Sequence, residues 1–228
     1  MSGCILNDHF MNSSSDLYLK QMEIGPMENF VYLIGSKKTR EVVVVDPAWQ
    51  VDTVLRVAKE EDLKIKGALI SHYHFDHTNG IEELLQAVDC PVYVNKNDLS
   101  YLDFGHDNIK PVDSGYKLKL GDVEIECLHT PGHTPGSQCF LCRGHLVSGD
   151  TLFINACGRT DLPGGSAKDL YYSLTQKLMK LDDETVLCPG HNYSDKPMVS
   201  MGDQKKNNPY LICDSLENFL RFRTGVGE

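Results

Sequence analysis

The sequence predicts an α/β fold in which two β-sheets pack together and helices cover their outer faces. Strand patterns alternate with helical patterns along the chain, and two strand-rich halves each contain helical segments. No Pro/Gly-rich linker separates the halves, so we expect a single domain over residues 1–228. An apolar content of 41% with 24% charged residues is enough for a buried core.

The first half predicts two paired strands and then alternating strands and helices. "LYLKQMEI" and "FVYLIG" flank the turn "GPMEN" and predict a hairpin. "EVVVVDP" predicts a buried strand that ends at Asp46 and Pro47. "VDTVLRVAKEEDL" and "GIEELLQAV" place apolar residues at helical spacing, and "KGALIS" and "PVYVN" predict strands between and after them.

The second half repeats this alternation. "GYKLKLGDVEIECLHT" predicts a hairpin around Gly121-Asp122, and "SQCFLC", "HLVSGD" and "TVLCPG" predict further strands. "AKDLYYSLTQKLMKL" and "SLENFLRF" predict helices. Cys139 and Cys142 have C-x-x-C spacing, but a zinc ribbon needs a second pair, so we expect them to be core residues.

Charge and hydropathy exclude several classes of function. The net charge of −10 disfavours nucleic-acid binding, which needs a basic surface. No segment approaches the roughly 18 to 20 apolar residues of a membrane span. The N-terminus lacks the basic start and apolar run of a signal peptide, so we expect a cytoplasmic protein with a flexible segment over residues 1–16.

The stretch "HYHFDH" directly follows a predicted buried strand, where loops present functional groups. In extended backbone, His72 and His74 point the same way, whereas Asp76 and His77 lie beyond the bend and can serve an adjacent point. Imidazole and carboxylate groups are ligands that Zn, Fe and Mn accept. A helix start capped by Asp76 or Thr78 would explain one residue of the cluster but not the set.

Three further candidates follow later predicted strands. His133 lies in "HTPGHTPGS", Asp150 ends "LVSGD", and His191 ends "VLCPGH". A carboxylate such as Asp150 can bridge two cations, and His133 and His191 can each complete one ligand set. The sequence therefore predicts a centre for two metal ions.

The pattern H-x-H-x-D-H followed by His, Asp and His resembles the metallo-β-lactamase superfamily. This resemblance implies a four-layer αββα sandwich of two mixed β-sheets with helices outside, and two divalent metals, zinc first, with iron or manganese as alternatives. It implies His72, His74 and His133 at one metal, Asp76, His77 and His191 at the other, and Asp150 as the bridge.

Finer motifs resemble two branches of this superfamily. "GDTLFINACGRTDLPGG" and "PGHNY" resemble hydroxyacylglutathione hydrolases (glyoxalase II), which implies a thioesterase that cleaves a glutathione-type or other small acyl thioester with a metal-bridging hydroxide. Asp76 would orient this nucleophile, and Arg159 and Tyr193 would contact the substrate, a thiol conjugate. Asp161 departs from that family, which has an aromatic residue there, and only 37 residues follow His191. Arg159 can instead pair with Asp161, and Tyr193 can pack its ring.

Two alternatives stay open. "CGRTD" and "AKDLY" also resemble the persulfide dioxygenases, in which His72, His133 and Asp150 would hold a single iron that acts on glutathione persulfide. A metal-binding sensor or scaffold without turnover comes third, because no ligand of the pattern is missing. A homodimer is also left open.

Overall fold

The first half of the chain forms a mixed six-stranded sheet in the computed structural model, which describes residues 16–102 and 107–224. The strands follow one another in the order of the chain; the first three are antiparallel and the last three are added in parallel. They are β1 (Leu17–Ile24), β2 (Asn29–Ser36), β3 (Glu41–Val45), β4 (Lys64–Leu69), β5 (Val92–Asn95) and β6 (Ile109–Val112).

Helices connect the parallel strands of this sheet, because such strands need a crossover connection. They are α1 (Val51–Glu60), α2 (Phe75–Thr78) and α3 (Ile81–Ala87). Helix α1 buries Val51, Val54, Val57 and Ala58, whereas Leu55 is only half-buried. The face predicted from helical spacing, Val51, Val54, Leu55 and Ala58, is therefore right except at Leu55, and Val57 is added to it.

The second half forms another mixed six-stranded sheet, in the order β14-β13-β10-β9-β8-β7. A parallel pairing joins β10 to β13, and the other pairings are antiparallel. The strands are β7 (Lys117–Leu120), β8 (Val123–His129), β9 (Gln138–Cys142), β10 (His145–Gly149), β13 (Val186–Pro189) and β14 (Val199–Ser200), and a separate pair is β11 (Leu152–Phe153) with β12 (Ala156–Cys157). Its helices are α4 (Ala167–Gln176), α5 (Met201–Asn207) and α6 (Leu216–Thr224).

The main core lies between the two sheets. Buried residues of both sheets, such as Phe30 and Tyr32 from one and Phe140 and Val147 from the other, form a single cluster. A second cluster packs α1 and α3 on the outer face of the first sheet, and a third packs α4 and α6 on the second sheet. The predicted sandwich with helices outside is confirmed.

Several short elements differ from the prediction. The sequence patterns missed β6, β14 and α5, which are four, two and seven residues long and too short for a periodic pattern. The helix predicted over 167–181 ends at Gln176 and is followed by a 3-10 turn at Leu178–Lys180. The predicted N-terminal segment lies outside the described residues except for Asp16. None of the described helices has the length and apolarity needed to cross a bilayer.

Backbone hydrogen bonds join the two sheets at one end of the interface. Phe30 N–H donates to Gly190 O at 2.8 Å, and Gln138 N–H donates to Ser71 O at 2.9 Å. An isolated antiparallel bridge also pairs Asn29 with His191. Loops that leave both sheets are thereby fixed beside one another.

Candidate metal centre

The seven predicted ligand residues converge at this joined end of the sheets. Four of them follow β4, and the other three follow β8, β10 and β13. They form three overlapping groups, and within each group the candidate ligand atoms all lie within 4.8 Å of one another. The first group is His72, His74 and His133; the second group is Asp76, His77 and His191; the linking group is His72, His77 and Asp150.

Asp150 lies between the first and second groups. Its Oδ2 is 3.6 Å from His133 Nε2 and 3.4 Å from His191 Nε2, and its Oδ1 is 3.4 Å from His77 Nε2. The carboxylate therefore faces imidazoles of both groups, as the sequence predicts for a bridging ligand.

Hydrogen bonds at Nδ1 turn the Nε2 atoms of two histidines inward. His133 Nδ1–H donates to Arg159 O at 2.7 Å, and His191 Nδ1–H donates to Met27 O at 2.9 Å. Because a backbone carbonyl can only accept, each ring carries its proton on Nδ1 when neutral, and Nε2 keeps its lone pair. This orientation is the one that a metal-binding histidine needs.

A buried aspartate orients two more histidines. The sequence predicted this residue only as the end of a strand. Asp46 accepts hydrogen bonds from Ser71 Oγ at 2.6 Å and from His77 Nδ1 at 2.9 Å. Since the hydroxyl proton of Ser71 is engaged by Asp46, its oxygen accepts from His72 Nδ1–H, 2.9 Å away. Asp46 directly follows strand β3, as Asp150 directly follows β10. This shared position was the sequence signal that could have identified Asp46 as a site residue.

The electrostatics differ between the two groups. In the first group, burial lowers the pKa of His74 to about 4, so its imidazole is neutral. In the second group, burial disfavours the charged form of His191, but hydrogen bonds with Asp150 and Asp76 outweigh it and raise the pKa to about 9. Burial would raise the pKa of Asp150, yet the neighbouring His77 and His191 hold it well below its usual range. Cation binding at the second group therefore has to release protons.

The donor set fits divalent cations that prefer nitrogen and carboxylate ligands. His74 Nε2 and Asp150 Oδ1 are buried and have no hydrogen-bond partner among the residues that the structure describes. Such groups are costly to bury unless something else binds them. Imidazole with carboxylate suits zinc, iron or manganese. The residues present therefore match the metal centre that the sequence predicts.

A second buried aspartate, which gave no signal in the sequence, ties together the two loops of the first group. Asp98 accepts hydrogen bonds from Tyr73 N–H at 3.0 Å, Thr134 Oγ1–H at 2.8 Å and Gly136 N–H at 2.5 Å. A Cβ on Gly136 would lie 2.5 Å from Asp98 Cγ, so only glycine allows this approach. Tyr73 lies between two candidate ligands, and Thr134 follows a third.

We expect Asp98→Ala to destabilise the fold by about 2–4 kcal/mol, because three buried donors lose their acceptor. The same change should lower zinc binding at the first group, whose loops lose their common anchor. Urea unfolding and zinc content after dialysis measure the two effects. Asp113→Ala, at an exposed aspartate paired with Lys96, is the matched control and should change neither. Unchanged zinc content in Asp98→Ala would refute the positioning role.

An asparagine and a tryptophan support the second group. Asn29 Nδ2–H donates to Asp76 Oδ2 at 3.0 Å, and its Oδ1 accepts from Trp49 Nε1–H at 2.8 Å. Trp49 has a φ of 58°, a left-handed conformation that is rare for a bulky residue, and its ring meets Phe75 edge to face at 5.9 Å. Nothing in the local sequence around Asn29 or Trp49 predicts these contacts.

The two predicted substrate contacts lie on the surface beside the centre. Arg159 makes a bidentate ion pair with Asp161, both bonds being 2.7 Å, and the two side chains are 60% and 67% exposed. Tyr193 stacks its ring on His191, with centroids 4.7 Å apart and planes at 9°. Both alternatives expected from the sequence, an ion pair for Arg159 and ring packing for Tyr193, are thus present; substrate contact stays a prediction.

Comparison with known families identifies the fold family. The Metallo-beta-lactamase superfamily profile matches residues 24–191, which contain all seven converging side chains. The chain belongs to this superfamily. The architecture of two mixed sheets with outer helices, predicted from the sequence, is the metallo-β-lactamase fold.

Among relatives of this superfamily member, the probable polyketide biosynthesis zinc-dependent hydrolase PksB of Bacillus subtilis (strain 168) is 30% identical over 196 residues, 86% of this chain and 87% of that protein. ETHE1 from Myxococcus xanthus superposes with a TM-score of 0.83 at 32% identity and covers 92% of each chain. TTHA1623, in a di-iron-bound form, has a TM-score of 0.74 at 30% identity and covers 84% of this chain and 99% of that one. The similarity to named zinc-dependent hydrolases indicates a metallo-hydrolase.

Proposed function

We propose that this metallo-β-lactamase-fold protein is a thioesterase that uses two divalent cations. The first group would hold one cation, the second group would hold the other, and Asp150 would contact both. The observation that carries this proposal is the position of Asp150, whose two carboxylate oxygens lie 3.4–3.6 Å from histidine nitrogens of both groups. The relative named as a zinc-dependent hydrolase and the relative in a di-iron form support a metal pair.

The chemistry requires a nucleophilic water and a polarised carbonyl. When bound, the cations supply Lewis acidity, lowering the pKa of water from about 15.7 toward 7 and polarising the thioester carbonyl. Asp76 orients the attacking water by accepting its hydrogen bond. Burial would raise the pKa of Asp76, but hydrogen bonds from His191 and His77 hold it well below its usual range, so the side chain is an anionic carboxylate that can accept a hydrogen bond.

The remaining residues position this acceptor and release the product. Asn29 fixes the carboxylate of Asp76 through its 3.0 Å hydrogen bond. The thiolate leaves without a dedicated general acid, because a thiol has a pKa of about 8.5. Arg159 and Tyr193, beside the centre, are proposed to contact the substrate; Arg159 would exchange its exposed pairing with Asp161 for a carrier carboxylate.

A persulfide dioxygenase is the second candidate, favoured by the similarity to ETHE1 over 92% of both chains. His72, His133 and Asp150 would then hold one iron as a two-histidine, one-carboxylate set. His72 Nε2 and His133 Nε2 are 3.2 Å apart, and Asp150 lies 3.6 Å from His133, which is compatible with this smaller set.

Metal content separates the two candidates. The protein is purified without added metal or chelator, and its metals are counted per chain by elemental analysis. Two metals per chain and release of thiol from acyl thioesters are the expected results. One iron per chain with oxygen uptake on glutathione persulfide would replace the thioesterase with the dioxygenase. A protein that did not bind added metal would contradict both candidates.

A further inference from the structure

Three apolar residues lie beside the second group and define what we term the apolar rim: Met27, Trp49 and Phe75. Phe75 is 70% exposed, more than any other large apolar side chain that the structure describes, and Met27 is 47% exposed. Exposed apolar groups that cluster beside a polar centre are typical of ligand-binding surfaces. Neither Met27 nor Phe75 belongs to any of the three core clusters, so these two side chains have no role in core packing.

The rim is attached to the candidate ligands by short, direct connections. Met27 O accepts the Nδ1–H of His191 at 2.9 Å, and Phe75 lies in the chain between His74 and Asp76. Trp49 reaches Asp76 through the amide of Asn29 and contacts Phe75 at 5.9 Å. These three residues therefore lie directly beside the second group.

The rim is also held in place. The hairpin turn after β1 packs on the indole, because a Cβ on Gly25 would lie only 2.3 Å from Trp49 Cδ1. The Trp49 backbone N–H is anchored to Asn79 Oδ1 at 2.6 Å. A rigid apolar surface loses little conformational entropy when it binds an apolar partner.

The surface beside the first group carries an exposed ion pair. Arg159, whose carbonyl accepts from His133 of the first group, forms the exposed ion pair with Asp161. A thioester has two unlike ends, an acyl group and a thiol carrier. An exposed ion pair beside the first group suits a polar carrier, whereas an apolar surface beside the second group suits an acyl group.

We propose that the apolar rim binds the acyl group of the thioester and gives the enzyme a preference for acyl chains with a hydrocarbon portion of several carbons. This inference depends on the proposed thioesterase function. The rim would then determine acyl specificity, and a longer acyl chain would cover the side chains of Met27 and Phe75.

The test is a series of S-acyl-N-acetylcysteamine thioesters from acetyl to octanoyl. We expect kcat/KM to rise about twofold for each added methylene, which is the factor expected if the rim removes half of each methylene's surface from water. Met27→Ser and Phe75→Ser, checked for unchanged metal content, should each reduce this slope. Leu220→Ser, at a 37% exposed position on α6, is the matched control and should keep it. A flat series in the unaltered enzyme, or an unchanged slope in both rim variants, would overturn the inference without affecting the thioesterase proposal.

A binding measurement separates failure of the inference from failure of the proposed function. Trp49 is the chain's single tryptophan, so tryptophan fluorescence, excited at wavelengths that tyrosine does not absorb, reports on the rim. Titration with the non-hydrolysable S-octyl thioether of N-acetylcysteamine should change this fluorescence saturably, and Met27→Ser should weaken the binding severalfold. If no thioester were hydrolysed but the titration saturated, the thioesterase would be wrong and the apolar binding surface would remain. An absence of saturable change would refute the rim.

Discussion

Asp150→Ala is expected to abolish hydrolysis, with kcat/KM falling by about 10³-fold or more, and to reduce metal content at both positions. Asp150 faces His77, His133 and His191 at 3.4–3.6 Å and is the described carboxylate that links the two groups. Without it, each cation would lose an anionic ligand in a buried site. The protein should nevertheless fold, since Asp150 follows strand β10 and its side chain belongs to none of the three apolar clusters.

Three measurements on Asp150→Ala check this expectation: thiol release from an acyl thioester, metals per chain, and far-UV circular dichroism. Asp182→Ala is the matched control, since that aspartate is exposed in the turn before β13. It should retain full metal content and turnover. An Asp150→Ala protein that kept two metals and most of its turnover would disprove the bridging assignment.

His191→Ala is expected to lower thioester hydrolysis by about 10²-fold or more while leaving one metal per chain. His191 belongs to the second group alone, where its Nε2 is 3.4 Å from Asp76 Oδ2 and 3.2 Å from His77 Nε2. Its loss should empty that position, and the paired cations that activate water would be reduced to one. The first group retains its three histidines.

The same variant distinguishes the two candidate enzymes. A dioxygenase that used His72, His133 and Asp150 would keep its iron and most of its oxygen uptake in His191→Ala. His145→Ala, on strand β10 and outside all three groups, is the control for replacing a histidine. Full thioesterase activity in His191→Ala would contradict the two-metal mechanism.

The elements with clear periodicity and the site residues with recognisable spacing were predictable from the sequence. The run "VVVV" and the apolar face of α1 follow directly from strand and helix patterns. The convergence of the histidine cluster with the three later candidate ligands was predictable because each follows an apolar strand, and functional loops leave strand ends.

The supporting residues were not predictable in this way. Asp98 reaches Thr134 and Gly136 across 36 and 38 residues of sequence, and Asn29 reaches Asp76 across 47. No local pattern records which distant donors a buried carboxylate will meet. Trp49 adopts a left-handed conformation that tertiary packing imposes against its intrinsic preference.

Each metal position joins the two halves of the chain. The first group pairs His72 with His133, 61 residues apart, and the second pairs His77 with His191, 114 residues apart. A cation at either position would close a long loop of the chain, as a disulfide does, and would bind the folded chain in preference to the unfolded one. Metal supply would then determine the folding stability of this protein as well as its activity. A shortage of metal would leave the chain inactive and more exposed to proteolysis.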